Sequence, residues 1–197
     1  WRIVDLSDMN DQFTNIRNGL DFGYGADPAA FSHMHYDRKK KRIYIFNELY
    51  LYGRTNPELA DEIKPICGKL IVLCDSAEPK SIQELRNDGV NAHAAKKGQG
   101  SVMFGIQFLQ QHEIVIDKSC VNTQNEFMNY QWAKDRNGNK LNRPVDKNNH
   151  AIDSIRYGLS LDMAQEPKKG GKRPRRVTKV SPVNLPKIGM TKLNGRF

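Results

Sequence analysis

KLIVLCD, residues 69–75, decides the fold. The run is apolar without alternation and stops at an acid. A strand with one wet face alternates apolar and polar residues, whereas a strand covered on both faces does not. Residues 69–75 therefore read as a central, parallel-type strand that opens at its C-terminal end into Asp75. On its N-terminal side, NPELADEIKPICG (56–68) predicts a helix with Asn56 as N-cap, Pro57 at the first helical position, Leu59, Ile63 and Ile66 at helical spacing, and a stop at Gly68. On its C-terminal side, residues 81–88 predict a short helix ended by Gly89, followed by a brief strand over 90–94.

Further out, RNGLDFGY (17–24) puts a strand into Asp21 and then a glycine-flanked turn. Residues 29–36 and 43–46 are β-prone and joined by DRKKKR (37–42), a hairpin whose basic tip is most simply solvated. Beyond residue 94, Ser101 caps a helix carrying Val102, Ile106 and Leu109, a strand follows over 114–116, and a helix over 123–130. Residues 131–134 and 140–143 flank Asn137-Gly138, the dipeptide that best marks a two-stranded hairpin. A last helix spans 148–163 and carries His150 and Asp153, before Pro167. A three-strand meander followed by β/α alternation indicates an α/β fold, a mixed β-sheet flanked by helices.

The 197 residues suit one core plus extensions. Residues 1–165 balance 21 basic against 21 acidic residues, so the net charge of +9 belongs wholly to residues 166–197. That tail mixes Lys and Arg with Pro and Gly and has few large apolar residues. Its composition predicts a basic, disordered segment, either a solvated terminus or an arm for nucleic acid or a partner. No apolar run approaches the roughly 18 residues of a membrane span. Cys67, Cys74 and Cys120 form an odd set without zinc-type spacing, which points to reduced thiols rather than disulfides or a structural zinc. No G-x-x-x-x-G-K-[ST] loop occurs, so the chain contains no P-loop nucleotide motor.

Three acids stand at suggestive places: Asp21 and Asp75 at strand ends, and Asp153 on the last helix with His150 three residues earlier on the same face. Any one of them alone is ordinarily a solvated turn or capping residue. Brought together, three carboxylates repel and raise one another's pKa unless a cation neutralises them. Oxygen donors without a Cys/His cage select Mg²⁺ or Mn²⁺, and two such ions roughly 3.5–4 Å apart would suit phosphodiester hydrolysis.

The segments GLDFGYGADPAA (19–30), IYIFNELY (43–50), LIVLCDSAEPKSI (70–82), AAKKGQGSV (94–102) and NNHAIDSIRYGL (148–159) resemble, in this order, the nuclease domain of the large terminase subunit of tailed double-stranded DNA bacteriophages. The resemblance covers roughly residues 15–162. It implies a ribonuclease-H-like fold and a two-metal endonuclease that cuts concatemeric viral DNA in the host cytoplasm. It also implies Asp21, Asp75 and Asp153 as the metal-binding catalytic triad, with His150 beside them. Further implied are an N-terminal ATPase domain outside this chain, and the small terminase subunit and portal protein as partners. Residues 1–14 would then be the remnant of the inter-domain connection, 15–165 the nuclease domain and 166–197 the tail.

Lys96 and Lys97, ahead of Gly98, would hold DNA backbone, with a solvated loop as the plain alternative. Lys134, Arg136, Lys140 and Arg143 would make the 131–143 hairpin a DNA-facing flap, although hairpin tips are often basic for solubility alone. Glu78 reads as a capping or surface acid, and Arg156 and Tyr157 as braces of the closing helix. A non-catalytic DNA- or protein-binding module of the packaging complex, or a resolvase or integrase on the same fold, are the alternatives; the DSAEP and HAIDSIRYG blocks favour the terminase.

Overall fold

The computed structural model describes residues 1–98 and 100–165. Its centre is the expected meander: β2 (Ile16–Asp21), β3 (Ala29–Asp37) and β4 (Arg42–Leu51) pair antiparallel in sequence. β1 (Arg2–Val4), β5 (Val72–Cys74), β6 (Ala92–Ala94) and β7 (Glu113–Asp117) extend it to the order β1-β7-β4-β3-β2-β5-β6, with every added pairing parallel. β3 alone among these strands runs against the rest. Of the run 69–75 only Val72–Cys74 forms a strand, β5, wholly buried between β2 and β6; Lys69, Leu70 and Ile71 ahead of it are exposed, so the covered strand is shorter than the apolar run predicts.

Helices cover both faces. α1 (Asn56–Cys67) and α2 (Pro79–Asn87) pack Leu59, Ile63, Ile82 and Leu85 against Leu20, Phe31, Val72 and Cys74. On the other face, α3 (Ser101–Gln110), α4 (Val121–Asn129), α5 (His150–Gly158) and α6 (Ser160–Gln165) surround Met34, Tyr36, Ile43, Ile45 and Ile116. A strand's period of two sorts its residues between these faces. On β2, Leu20 joins the α1 side, while Gly19 and Asp21 face α5. On β5, Val72 and Cys74 join the α1 side, and Leu73 packs with Tyr157 of α5, which leaves the next acid, Asp75, on the α5 side as well.

α5 lies unusually close to β2. A Cβ built on Gly19 would stand 1.7 Å from the Ser154 carbonyl oxygen, and one on Gly158 would stand 3.0 Å from the Gly19 nitrogen. Backbone meets backbone there, which only glycine permits. A buried hydrogen bond of 2.5 Å between the Ser32 and Ser154 hydroxyls fixes the helix laterally.

The structure differs from the sequence reading at several further points. Thr55 rather than Asn56 caps α1, closing a capping box with Glu58, while the Asn56 amide donates to Glu84 of α2. Gly100, in the left-handed region at φ 72°, precedes α3 in place of Ser101. The closing helix is two helices, bent at Leu159, with Asp162 of α6 anchored by Arg17 and Arg38. Residues 1–14 supply β1 and bury Leu6, whose amide donates to Asp117 at 2.7 Å. The three cysteines are free and buried. Among the described residues no helix is long and apolar enough to cross a membrane. The tail 166–197 lies outside the described residues.

Candidate active site

β2 and β5 are parallel neighbours, with Leu20 opposite Cys74, so the acids that follow stand side by side at the C-terminal edge of the sheet. The Asp75 amide donates to the Leu20 carbonyl at 3.1 Å, continuing the ladder up to the site. α5 crosses this edge and adds His150 and Asp153 from its first turn, the two residues sharing a face at three-residue spacing. The close contact at Gly19 and Gly158 is what brings that turn down onto the strand ends.

Each carboxylate has its own partner. Asp21 accepts a hydrogen bond from His150 Nδ1 at 3.1 Å. Asp75 accepts from the Ala77 amide at 2.7 Å and the Tyr157 hydroxyl at 3.0 Å, and is ion-paired with Lys97, whose ammonium also lies 4.6 Å from the centre of the Tyr157 ring. Asp153 is ion-paired with Arg156, which is buried, and its second oxygen lies 3.4 Å from the Asn149 amide nitrogen. Gly105 of α3 makes room for Arg156, since a Cβ there would meet the guanidinium Nε at 2.6 Å.

The electrostatics follow from this pairing. Burial pushes the Asp21 carboxyl up to about 6; the His150 hydrogen bond opposes this, and the charges of Asp153 and Asp75 add to it. Asp153 is raised as well, by burial that Arg156 only partly offsets. Burial would also raise Asp75, but the Ala77 amide, Lys97 and Tyr157 outweigh it and hold this carboxyl low. The hydrogen bond to Asp21 lifts His150 above its ordinary value. Three carboxylates thus face two permanent cations, and the uncompensated charge falls on Asp21. Among the described residues no three acids, histidines or cysteines are already folded around one point as a finished cage. Arg156 and Lys97 occupy carboxylate oxygens that an ion would need.

Grooves open on both sides of the acids. One of about 660 Å³ is lined by Asp21, His150, Tyr24, Arg54, Asn56, Glu78 and Ser81, and one of about 440 Å³ by Asp153, Asn149, Tyr130, Arg143 and Asp146. The second lies under the hairpin β8 (Trp132–Lys134) and β9 (Lys140–Pro144), formed where the Asn-Gly signal placed it.

Chain regions over residues 21–161 match the model of the terminase RNAseH-like domain. The chain belongs to this family. It is 42% identical over 165 residues to the terminase large subunit of Bacillus phage SPP1, and 31% identical over 146 residues to the PBSX phage terminase large subunit of Bacillus subtilis. These stretches take in 81% and 73% of this chain but 38% and 34% of the relatives, so this terminase domain spans little more than a third of the curated proteins it matches. It superposes on the crystal structure of the SPP1 large terminase nuclease domain with bound Mn at a TM-score of 0.75 and 38% identity, covering 82% of this chain and 96% of that one. The P22 large terminase nuclease domain shares the fold at a TM-score of 0.66 and 19% identity, covering 81% and 87%.

In this terminase domain the residues singled out in the sequence divide into two groups. His150 pairs with Asp21 and Lys97 with Asp75, and the charges of Asp153 and Asp75 act on Asp21 without a direct contact between the acids. Arg143 joins Asp153 in lining one groove. Lys96, Lys134, Arg136 and Lys140 are exposed, the last three on the hairpin and Lys96 tied in only through its amide, which donates to Ser160 at 3.2 Å. Sequence reasoning missed Tyr157 and Arg156: read as braces, they are bonded to Asp75 and Asp153. Their three- and four-residue spacing from Asp153 was the available signal.

Proposed function

We propose that the chain is a divalent-metal-dependent endonuclease that hydrolyses phosphodiesters of double-stranded DNA during viral genome packaging, at the Asp21–Asp75–Asp153 edge of the sheet. The observation that carries this reading is the charge imbalance there: three carboxylates from three elements, against the permanent charges of Lys97 and Arg156. A buried carboxylate without a full countercharge is costly, and Mg²⁺ or Mn²⁺ supplies the charge through oxygen donors alone. The donor set fits such an ion once Arg156 and Lys97 yield their carboxylate oxygens. Asp21, Asp75 and Asp153 would hold it, and the reading extends to a pair of ions.

When bound, the metal activates water and neutralises charge on the phosphate. The protein's own groups orient the donors. His150 fixes Asp21 through Nδ1, Tyr157 fixes one oxygen of Asp75, and Asn149 stands by Asp153. Lys97, released from Asp75, is placed to hold the backbone of the scissile strand, with Lys96 and the hairpin's Lys134, Arg136, Lys140 and Arg143 taking phosphates further out. Backbone-directed cations of this kind give affinity with little sequence preference. The Mn-bound SPP1 nuclease domain, at 38% identity, supports the metal assignment.

On the same reading the domain acts beside an ATPase domain of the whole subunit, with the small terminase subunit and portal protein, in the host cytoplasm. Incubation of supercoiled plasmid with the protein and Mn²⁺ or Mg²⁺ should give nicked and linear DNA, and excess chelator should abolish it. Cutting that survives the chelator refutes the mechanism.

A further inference from the structure

α5 carries two site residues, yet its own N-cap does not cap it. Asn149 makes no capping hydrogen bond, its side-chain amide being turned towards Asp153 instead, and the chain enters through Asn148 in the left-handed region at φ 51°. The first amides of a helix need acceptors from somewhere. They find one on another helix. Glu126 of α4 is only 4% exposed, and its Oε2 accepts from the Ile152 amide at 3.0 Å, while its Oε1 accepts from the Tyr50 hydroxyl of β4 at 2.9 Å.

α4 is held in its turn by Glu48 of β4. That carboxylate accepts from the Asn122 and Thr123 amides at 2.8 and 2.9 Å and from the Thr123 hydroxyl at 2.6 Å. One strand of the central sheet therefore anchors α4 directly through Glu48 and helps fix α5 through the Tyr50–Glu126 contact. The anchoring points also bracket the excursion 130–149 that contains the hairpin, Glu126 lying just before it and Ile152 just after.

We infer that Glu126 is a positioning residue: by capping α5 across the helix boundary it sets where His150 and Asp153 stand. The inference deepens the nuclease reading and rests on it for its catalytic consequence. A negative group at a helix N-terminus also opposes the helix dipole favourably, so the cap holds through charge as well as hydrogen bonds.

The test uses the full chain with Glu126→Ala, Glu126→Gln and Tyr50→Phe. Readouts are Mn²⁺ titration by calorimetry, plasmid cleavage, and amide hydrogen exchange over residues 150–153, all at a temperature where circular dichroism shows each variant folded. Glu126→Ala should weaken Mn²⁺ binding and cleavage by about 10–100-fold, the usual effect of losing an outer positioning partner, and exchange in the first turn of α5 should accelerate ahead of the rest of the domain. Glu126→Gln keeps an acceptor for Ile152 and should recover most of the loss. If Glu126→Ala does not fold, Glu126→Gln and Tyr50→Phe carry the test through smaller shifts in the same readouts. Wild-type Mn²⁺ affinity together with wild-type exchange over 150–153 in the variants overturns the inference. A wild-type protein that binds no Mn²⁺ and does not cut would instead sink the nuclease reading, while the exchange data still decide whether Glu126 holds the helix.

Discussion

Replacing Asp21 with Asn should make the metal-free protein more stable while removing its activity. In the fold the Asp21 carboxyl titrates at about 6, against 3.8 for the ordinary group. The shift of about two units corresponds to about 3 kcal/mol at 1.36 kcal/mol per unit. The folded state binds the proton more tightly, so below pH 3.8 Asp21 is neutral in both folded and unfolded chains and adds no penalty. As pH rises from 3.8 to 6 the unfolded chain ionises first, stability falls, and above 6 the full penalty remains. An Asn amide never ionises, and its oxygen still accepts from His150 Nδ1. Thermal denaturation in chelator should therefore show wild type and Asp21→Asn nearly matched at pH 3.5 and separated by about 6–12 °C at pH 7.5. Saturating Mn²⁺ should narrow or reverse the gap by stabilising the wild type. A gap that is absent at pH 7.5, or equally large at pH 3.5, would refute the argument, since the first denies the buried charge and the second assigns the effect to packing.

Asp75→Asn and Asp153→Asn should each stay folded and lose most metal-dependent plasmid cleavage; near-wild-type cutting by either removes that residue from the site. His150→Ala should be milder, lowering activity without abolishing Mn²⁺ binding, because it removes an orienting group and leaves the three charged donors, and calorimetry decides it. Gly19→Ala should destabilise the fold by at least about 3 kcal/mol in denaturant titration, since its Cβ would enter the Ser154 carbonyl. Deleting residues 166–197, which carry ten Lys and Arg against the single acid Glu166, should weaken duplex affinity and flatten its salt dependence while leaving cleavage at saturating DNA; unchanged affinity and slope reject a DNA-binding arm.

What the sequence made legible was whatever burial writes into composition. KLIVLCD announced a covered strand through its apolar centre, Val72 to Cys74, although the run overstated its length, Leu70 and Ile71 being exposed, and Asp75 became conspicuous by ending it. Asp21 was visible in the same way, between a strand and a glycine turn. β1 was not legible, being three residues at the sheet edge of which two are exposed, with no periodicity to read. The bend at Leu159 escaped because helical composition continues through it. Arg156 and Tyr157 were seen on the right helix but assigned to bracing. Which carboxylate each meets depends on how α5 rotates over the strands, and spacing along one helix does not contain that rotation.

The rotation is set by residues with no chemistry of their own. Gly19 and Gly158 let α5 touch β2, Ser32 and Ser154 fix it sideways, and Glu126 holds its first turn. The acids could occupy the same sequence positions in a fold where α5 stood a side chain's width further from the sheet, and Asp153 would then be too distant to share charge with Asp21. A closer helix raises the cost of Asp21 and Asp153 in the metal-free protein, because burial and mutual repulsion grow together. On the proposed reading, that cost would be returned as affinity once a divalent ion took the place of Lys97 and Arg156 as the countercharge. Affinity for metal is thus coupled to that distance, and substitutions that push α5 off the strands, such as Gly19→Ala, should weaken metal binding as well as the fold.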